Sequence, residues 1–261
     1  MAYAGKEKSS GVVILFRGRI LAEQYWNRIP PERNPDGGRN PYFHMRLGVN
    51  GQGLAIEDVA SAQKSVTAML VGIARHKGLL KLDDPVSEYI PSFNNDKSKQ
   101  ITLRQLLTHT SGLRPGIPAK PAWSGVPKAI ALAKAERLTT QPDTNFRYSD
   151  INFILLGEIV RLASGQRLDE FAATHLFHPL GMRDTGFLQP LAKRGRTAPT
   201  ERVDGKLLHG VVHDPTARRM GGVAGHAGLF TTAADLSRFA RMMLNGGQLD
   251  GRRVLKKATG D

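Results

Sequence analysis

The chain has 261 residues, 40% of them hydrophobic and 23% charged. That is the length of one large domain or two intimate ones, and the composition excludes a disordered tail, a collagen and a coiled coil. Cysteine is absent, which excludes disulfides, cysteine–zinc sites and cysteine nucleophiles. The 37 Lys and Arg against 23 Asp and Glu leave a net charge of +14. These basic residues are spread along the chain without aromatic interleaving, so an anion-attracting, solvated surface is expected and nucleic acid is not expected as a partner.

The first strand candidate is Gly11–Phe16, and the turn Arg17-Gly18-Arg19 leads into a second at about Ile20–Trp26, so the chain opens with a hairpin. The apolar run Val12–Phe16 is too short for a secretory segment, and no run approaches the roughly 18 residues of a membrane span. A cytoplasmic chain with no membrane partner is expected. Asn27–Gly53, dense in Pro, Gly and Asn, reads as a long irregular connection. From Ser61 to Lys77 the residues Val66, Met69, Leu70 and Ile73 follow helical spacing, and Gly78 supplies the left-handed cap. Thr102-Leu-Arg-Gln105 is a capping box opening a short helix to about His109. Further helices are predicted at about Pro127–Arg137, Asp150–Ala163 and Leu168–His175. Met182–Gly228 reads mostly as loop. Thr232 caps a last helix that buries Leu236, Phe239, Ala240 and Met243 on one face. One hairpin is little sheet for so many helices, so partner strands are expected either within the weakly patterned 186–225 stretch or beyond Asp261. Strands first and helices after point to an α+β class.

The sharpest chemical signal is Ser61-Ala-Gln-Lys64 at the start of the long apolar helix. Residues i and i+3 share a helix face, so the Lys64 amine can reach the Ser61 hydroxyl. A serine at a helix N-terminus directs backbone N–H groups and the helix dipole at developing negative charge. A lysine desolvated in a cleft loses basicity and can act as a base. His209-x-x-x-His213 with Asp214 has the spacing of a helical metal site, but Gly210-Val-Val does not favour a helix. There is no G-x-S-x-G elbow, P-loop or dinucleotide fingerprint.

Ser61-Ala-Gln-Lys64, Leu80–Val86, Leu106-Leu-Thr-His-Thr-Ser-Gly-Leu113, Phe146-Arg-Tyr-Ser-Asp-Ile-Asn152 and Val212–Phe230 with Thr232–Leu236 follow one another in an order that resembles the serine β-lactamase and penicillin-binding-protein superfamily. The likeness is to its class C-like branch, with family VIII carboxylesterases and DD-peptidases. It runs from about Gly11 to Val254. The resemblance implies the β-lactamase/transpeptidase-like α+β fold. In it, an antiparallel sheet flanked by helices (1–60 and 231–261) is joined to a mainly helical part (61–230). It implies Ser61 as the acylated nucleophile, Lys64 as its base and Tyr148 as the tyrosine that passes the proton to the leaving group. Asp150 stands where the family's Y-x-N motif has asparagine. An ionised Asp cannot donate a hydrogen bond to a substrate amide, though its charge could hold Lys64 protonated. His109 lies in a stretch to which the resemblance gives a packing role.

The family's third motif, which supplies a second oxyanion N–H, is absent where it is expected, so the chain resembles a C-terminally shortened member. His226-Ala227-Gly228 spells H-x-G in a glycine-rich loop and is expected to line the substrate site. Trp123 in the Pro/Gly-rich 112–127 loop is a second candidate for substrate contact. No metal and no cofactor are expected. The partner is a small-molecule ester or amide, and homo-oligomerisation is left open. Short-chain ester hydrolysis ranks first, β-lactams and D-Ala peptides second, and a non-catalytic binding module of the same fold is the alternative from another class.

Overall fold

The computed structural model describes residues 1–6, 9, 11–26, 54–91, 93, 101–204 and 206–256. The Asn27–Gly53 connection and the Thr259-Gly260 end lie outside these. The elements in chain order begin α1 Ala2–Lys6, β1 Gly11–Phe16, β2 Arg19–Tyr25, β3 Glu57–Asp58, a 3-10 turn Ala60–Ala62 and α2 Gln63–His76. They continue α3 Val86–Tyr89, α4 Leu103–Leu107, α5 Val126–Ala135, α6 Asp150–Ser164 and α7 Leu168–Ala172, which runs through a π turn, Ala173–Phe177, into α8 His178–Leu180. A 3-10 turn Leu191–Arg196, β4 Pro199–Val203, β5 Lys206–His209, α9 Pro215–Arg219, β6 Phe230–Thr231, α10 Ala233–Leu244, β7 Gln248–Leu249 and β8 Arg252–Arg253 complete the described chain. The architecture is α+β, and every described strand pair is antiparallel. Among the described residues no helix is long and apolar enough to cross a membrane.

The chain forms two compact units: Met1–Val59 with Phe177–His213 and Leu229–Asp261, and Ala60–Leu176 with Asp214–Gly228. The helical part expected over 61–230 is thus interrupted, because 177–213 belongs to the first unit. Backbone bonds explain this. Ile56 N–H donates to the Arg196 carbonyl and Ala198 N–H to the Ile56 carbonyl, both at 2.8 Å, while Gly186 and Phe230 exchange both their bonds at 3.0 Å. In this first unit β1 and β2 pair from Gly11↔Tyr25 to Phe16↔Arg19, with a bulge at Ile14/Leu15, and α10 packs against β1, β7 and α8. Thr232 caps α10 by accepting from Asp235 N–H. The buried line of α10 is Asp235, Phe239 and Met242, whereas Leu236 and Met243 are exposed. The expected apolar face is therefore shifted. Asp235 turns inward to accept from Asp184 N–H at 2.7 Å and the Thr185 hydroxyl at 2.9 Å. Its burial pushes its carboxyl pKa up, against those hydrogen bonds.

In the second unit α6 is the central element. Ile151, Asn152, Phe153, Ile154, Leu155, Leu156, Gly157, Ile159 and Val160 are all buried, as a helix enclosed on all sides requires. It packs against α2, α3, α4, α5 and α7. Each fully buried Leu, Ile or Phe contributes about 1.5–3 kcal/mol of transfer free energy, which makes α6 a rigid platform for the residues on its first turn. Gly165 ends it in the left-handed conformation, φ 69°. The Thr102 capping box forms as expected, with Gln105 N–H on the Thr102 hydroxyl and Thr102 N–H on Gln105 Oε1.

Candidate active site

The second unit brings Ser61, Lys64, Tyr148 and Asp150 together. Ala60, immediately before Ser61, has φ 46°, a left-handed backbone that only surrounding structure can hold in a non-glycine residue. The strained turn delivers Ser61 to the start of the 3-10/α2 stack, where it is exposed. Lys64 follows on the first turn of α2 and is buried, with 6% of its surface exposed.

Three oxygens surround the Lys64 ammonium: Ser61 Oγ at 3.2 Å, the His226 carbonyl at 3.1 Å and Asp150 Oδ1 at 2.7 Å. Its Nζ also lies over the Tyr148 ring, 4.9 Å from the centroid, and 5.9 Å from that of Phe153. Tyr148 is 45% exposed, and its phenol hydrogen-bonds to no described residue. Asp150 occupies the first turn of α6 while Ser149 is its N-cap residue. The acid is there to meet Lys64 rather than to cap the helix. Its backbone N–H donates to the Pro115 carbonyl at 2.7 Å, which fixes the start of α6 against the 112–118 loop.

The glycine-rich loop 221–228 is fastened to α2 by polar side chains. Gln63 donates to the Ala224 carbonyl, Lys64 to that of His226, and Thr67 to that of Gly225 at 2.7 Å. The loop reaches this close because Gly157 and Gly225 face each other. A Cβ on Gly225 would stand 1.9 Å from the Phe153 carbonyl, and one on Gly157 would stand 2.9 Å from Gly225 Cα. Gln63 and Thr67 were not among the expected site residues. Their signal in the sequence is two neutral polar side chains at i and i+4 on the same face as Lys64, in a helix otherwise apolar there.

Of His226 and Trp123, both expected at the substrate, His226 reaches Lys64 by its carbonyl and not by its ring, and Trp123 makes its contacts away from Ser61, Lys64 and Tyr148. His226 is 1% exposed. Its Nε2 hydrogen-bonds Asp214 Oδ1 at 2.9 Å, and its buried Nδ1 has no partner among the described residues. It serves the site through its carbonyl on Lys64, and the imidazole faces protein rather than open space. Burial favours a raised Asp214 pKa. The His226 hydrogen bond and charge and the Ala217 and Thr216 N–H groups outweigh that and hold it below the usual carboxylate range. Trp123 is also buried, its Nε1 donating to the Pro118 carbonyl at 2.8 Å and its ring 5.6 Å from the Arg219 guanidinium. None of these contacts joins it to Ser61, Lys64 or Tyr148. His209 sits on β5 with Nε2 2.6 Å from the Thr197 carbonyl, so the 209–213 spacing is not helical. Asp150, Asp214 and His226 do place ligand atoms within 4.8 Å of one another, with the Lys64 ammonium already against Asp150 as their counter-charge.

A family model described as Beta-lactamase matches residues 56–261. A curated relative from Escherichia coli K12, named "Putative D-alanyl-D-alanine carboxypeptidase", is 33% identical over 204 residues, covering 66% of this chain and 46% of the relative. The chain thus spans about half the length of the curated relatives it matches. An octameric penicillin-binding protein homologue from Pyrococcus abyssi superposes with a TM-score of 0.71 at 20% identity, covering 99% of this chain and 57% of that one. A class C beta-lactamase superposes at 0.65 with 24% identity, covering 80% and 54%. These likenesses establish the fold.

Proposed function

The chain belongs to the beta-lactamase family, and from that premise we propose that it is a serine hydrolase that transfers an acyl group to water through an ester on Ser61. The observation that carries the reading is the buried Lys64 ammonium shared between Ser61 Oγ and Asp150. Ser61 Oγ attacks the substrate carbonyl carbon. Its proton moves to Lys64 Nζ as an Nζ proton moves to the Asp150 carboxylate, so the ammonium acts as a relay. The developing oxyanion faces the N-terminal end of the helix, where backbone N–H groups and the dipole favour negative charge. The Tyr148 phenol gives its proton to the leaving oxygen and is reprotonated from Asp150 through Lys64. Water then repeats the attack on the acyl-serine and releases the acid.

Short-chain carboxylic esters are the substrates this site favours. Asp150 is ionised in its pair with Lys64 and offers no donor to a substrate amide, and an alkoxide leaves more readily than an amine. A second reading, removal of a terminal D-alanine from a peptide, draws on the name carried by the curated relatives. The test is to incubate the chain with p-nitrophenyl butyrate, a chromogenic cephalosporin and a peptide ending in D-Ala-D-Ala, and to search for acyl mass on the peptide containing Ser61. Butyrate turnover with a butyryl adduct is the expected result. Turnover of the peptide alone transfers the assignment to the second reading. No adduct and no rate above buffer with any of the three would leave a non-catalytic module.

Tyr148→Phe is expected to lower kcat by about 10²-fold, the usual contribution of a positioned general acid, with KM nearly unchanged. The loss should shrink with p-nitrophenyl esters, whose leaving group needs little protonation, and grow with alkyl esters. Equal losses on both would remove Tyr148 from leaving-group protonation.

A further inference from the structure

We infer that His109 is a positioning residue for Tyr148, and that protonation of its ring loosens the segment carrying the phenol and so sets the acid limit of the reaction. The inference rests on the acyl-Ser61 reading. His109 follows α4 with φ 58°, a left-handed conformation uncommon among non-glycine residues, with Asn, Asp and His the most frequent of these. It brackets Tyr148 from both sides. Its carbonyl accepts from Arg147 N–H at 2.8 Å, and its Nδ1 accepts from Ser149 N–H at 3.1 Å. Between these two bonds the imidazole lies on the Tyr148 ring, centroids 4.7 Å apart and planes 33° apart. Phe153 and Phe146 close around it at 5.2 and 5.8 Å.

The protonation state follows from the partners. Asn152 Oδ1 accepts from the Ser111 hydroxyl at 2.7 Å, which turns the Asn152 amide so that its Nδ2 faces His109 Nδ1 at 3.4 Å. Two donors therefore converge on Nδ1, and the single ring proton sits on Nε2. A second proton on Nδ1 would set N–H against N–H and break the Ser149 bond. The charged groups around the ring are Lys64 of α2 and Asp150 of α6, beside the Tyr148 phenol. Burial and then the Lys64 charge hold the imidazole below its ordinary range, against a smaller opposing effect of Asp150. The bracket is thus complete above the ordinary imidazole pKa of about 6.5 and is lost as pH falls through the lowered value.

Two measurements test this. In the full chain labelled with 13C-histidine and 13C-tyrosine and assigned by sequential correlation, NMR from pH 8 to pH 4.5 should place the His109 midpoint below about 6.5, with the Tyr148 ring signals moving at that same midpoint. In pH–rate profiles with p-nitrophenyl butyrate, His109→Ala should lower kcat about 10- to 100-fold, the scale of a displaced reacting group, with KM changed less than about threefold. His109→Asn should recover most of that loss, because Asn tolerates the left-handed backbone and its Oδ1 can replace Nδ1 as the acceptor. It should also shift or flatten the acid limb, because it does not titrate. Tyr148 signals indifferent to the His109 titration, or an unaltered acid limb in His109→Asn, would overturn the inference. The NMR arm needs no variant. If the two rings titrate together in a chain that forms no acyl adduct, the bracket stands and the acyl-Ser61 reading is what fails.

Discussion

Ser61→Ala is expected to reduce butyrate turnover by about 10⁴- to 10⁶-fold, the scale of losing a nucleophile whose partners act as a unit, and to remove the acyl adduct. The structure makes this variant a clean test. Ser61 is exposed, and among the described residues its side chain receives one hydrogen bond, from Lys64. Removing the hydroxyl leaves the ammonium its His226 carbonyl and its Asp150 carboxylate. The stability change should therefore stay within about 0.5 kcal/mol, as for ordinary surface substitutions, and melting curves of the two proteins should nearly coincide. Wild-type turnover by the alanine variant would move the chemistry away from Ser61 and with it the proposed mechanism.

Local features were legible in the sequence because their partners are three residues away. Ser61 and Lys64 meet on one helix turn, and the Thr102 and Thr232 caps form with the residues that their spacing names. What escaped is what depends on distant partners. Gln63 and Thr67 find the carbonyls of Ala224 and Gly225, 161 and 158 positions along the chain, and no periodicity encodes such a pairing. His226 looked like a ligand-facing residue because H-x-G is a family word. Asp214, the N-cap residue of α9, instead draws its imidazole into the protein. Strands were expected in the 186–225 stretch or beyond Asp261, and β4–β5 lies in the first of these, but its bounds were not legible because Pro199-Thr-Glu-Arg-Val203 lacks a clean alternation. Its pairing shifts register between Pro199 and Arg202. The two-residue strands β7 and β8 carry no pattern at all. The face of α10 was misjudged by one position because an inward carboxylate, Asp235, occupies a place that hydrophobicity alone gives to leucine.

Lys64→Met should lower kcat/KM by about 10³- to 10⁴-fold, the upper range for loss of a general base, and Lys64→Arg should not rescue it. A guanidinium stays protonated through the accessible pH range and is planar where Nζ is a point charge, so it cannot take up and pass on the Ser61 proton. Methionine fills the same volume, so lost packing is not the cause. The variant does leave Asp150 without its cation. Its side chain is 32% exposed, although the Oδ1 that faces Lys64 is buried, so the stability cost should be about 1–3 kcal/mol, below the 3–5 kcal/mol of a fully buried orphaned charge. The double-mutant cycle with Asp150→Asn decides between relay and scaffold. If Asp150 works only by receiving a proton through Lys64, Asp150→Asn lowers the wild-type rate about 10- to 100-fold but the Lys64→Met rate less than about threefold, a strongly non-additive pair. It should also return part of the stability that Lys64→Met removes, because a neutral amide needs no counter-ion. Additive rate losses across the cycle would mean that Asp150 meets the substrate independently of Lys64, and the proton would need another destination.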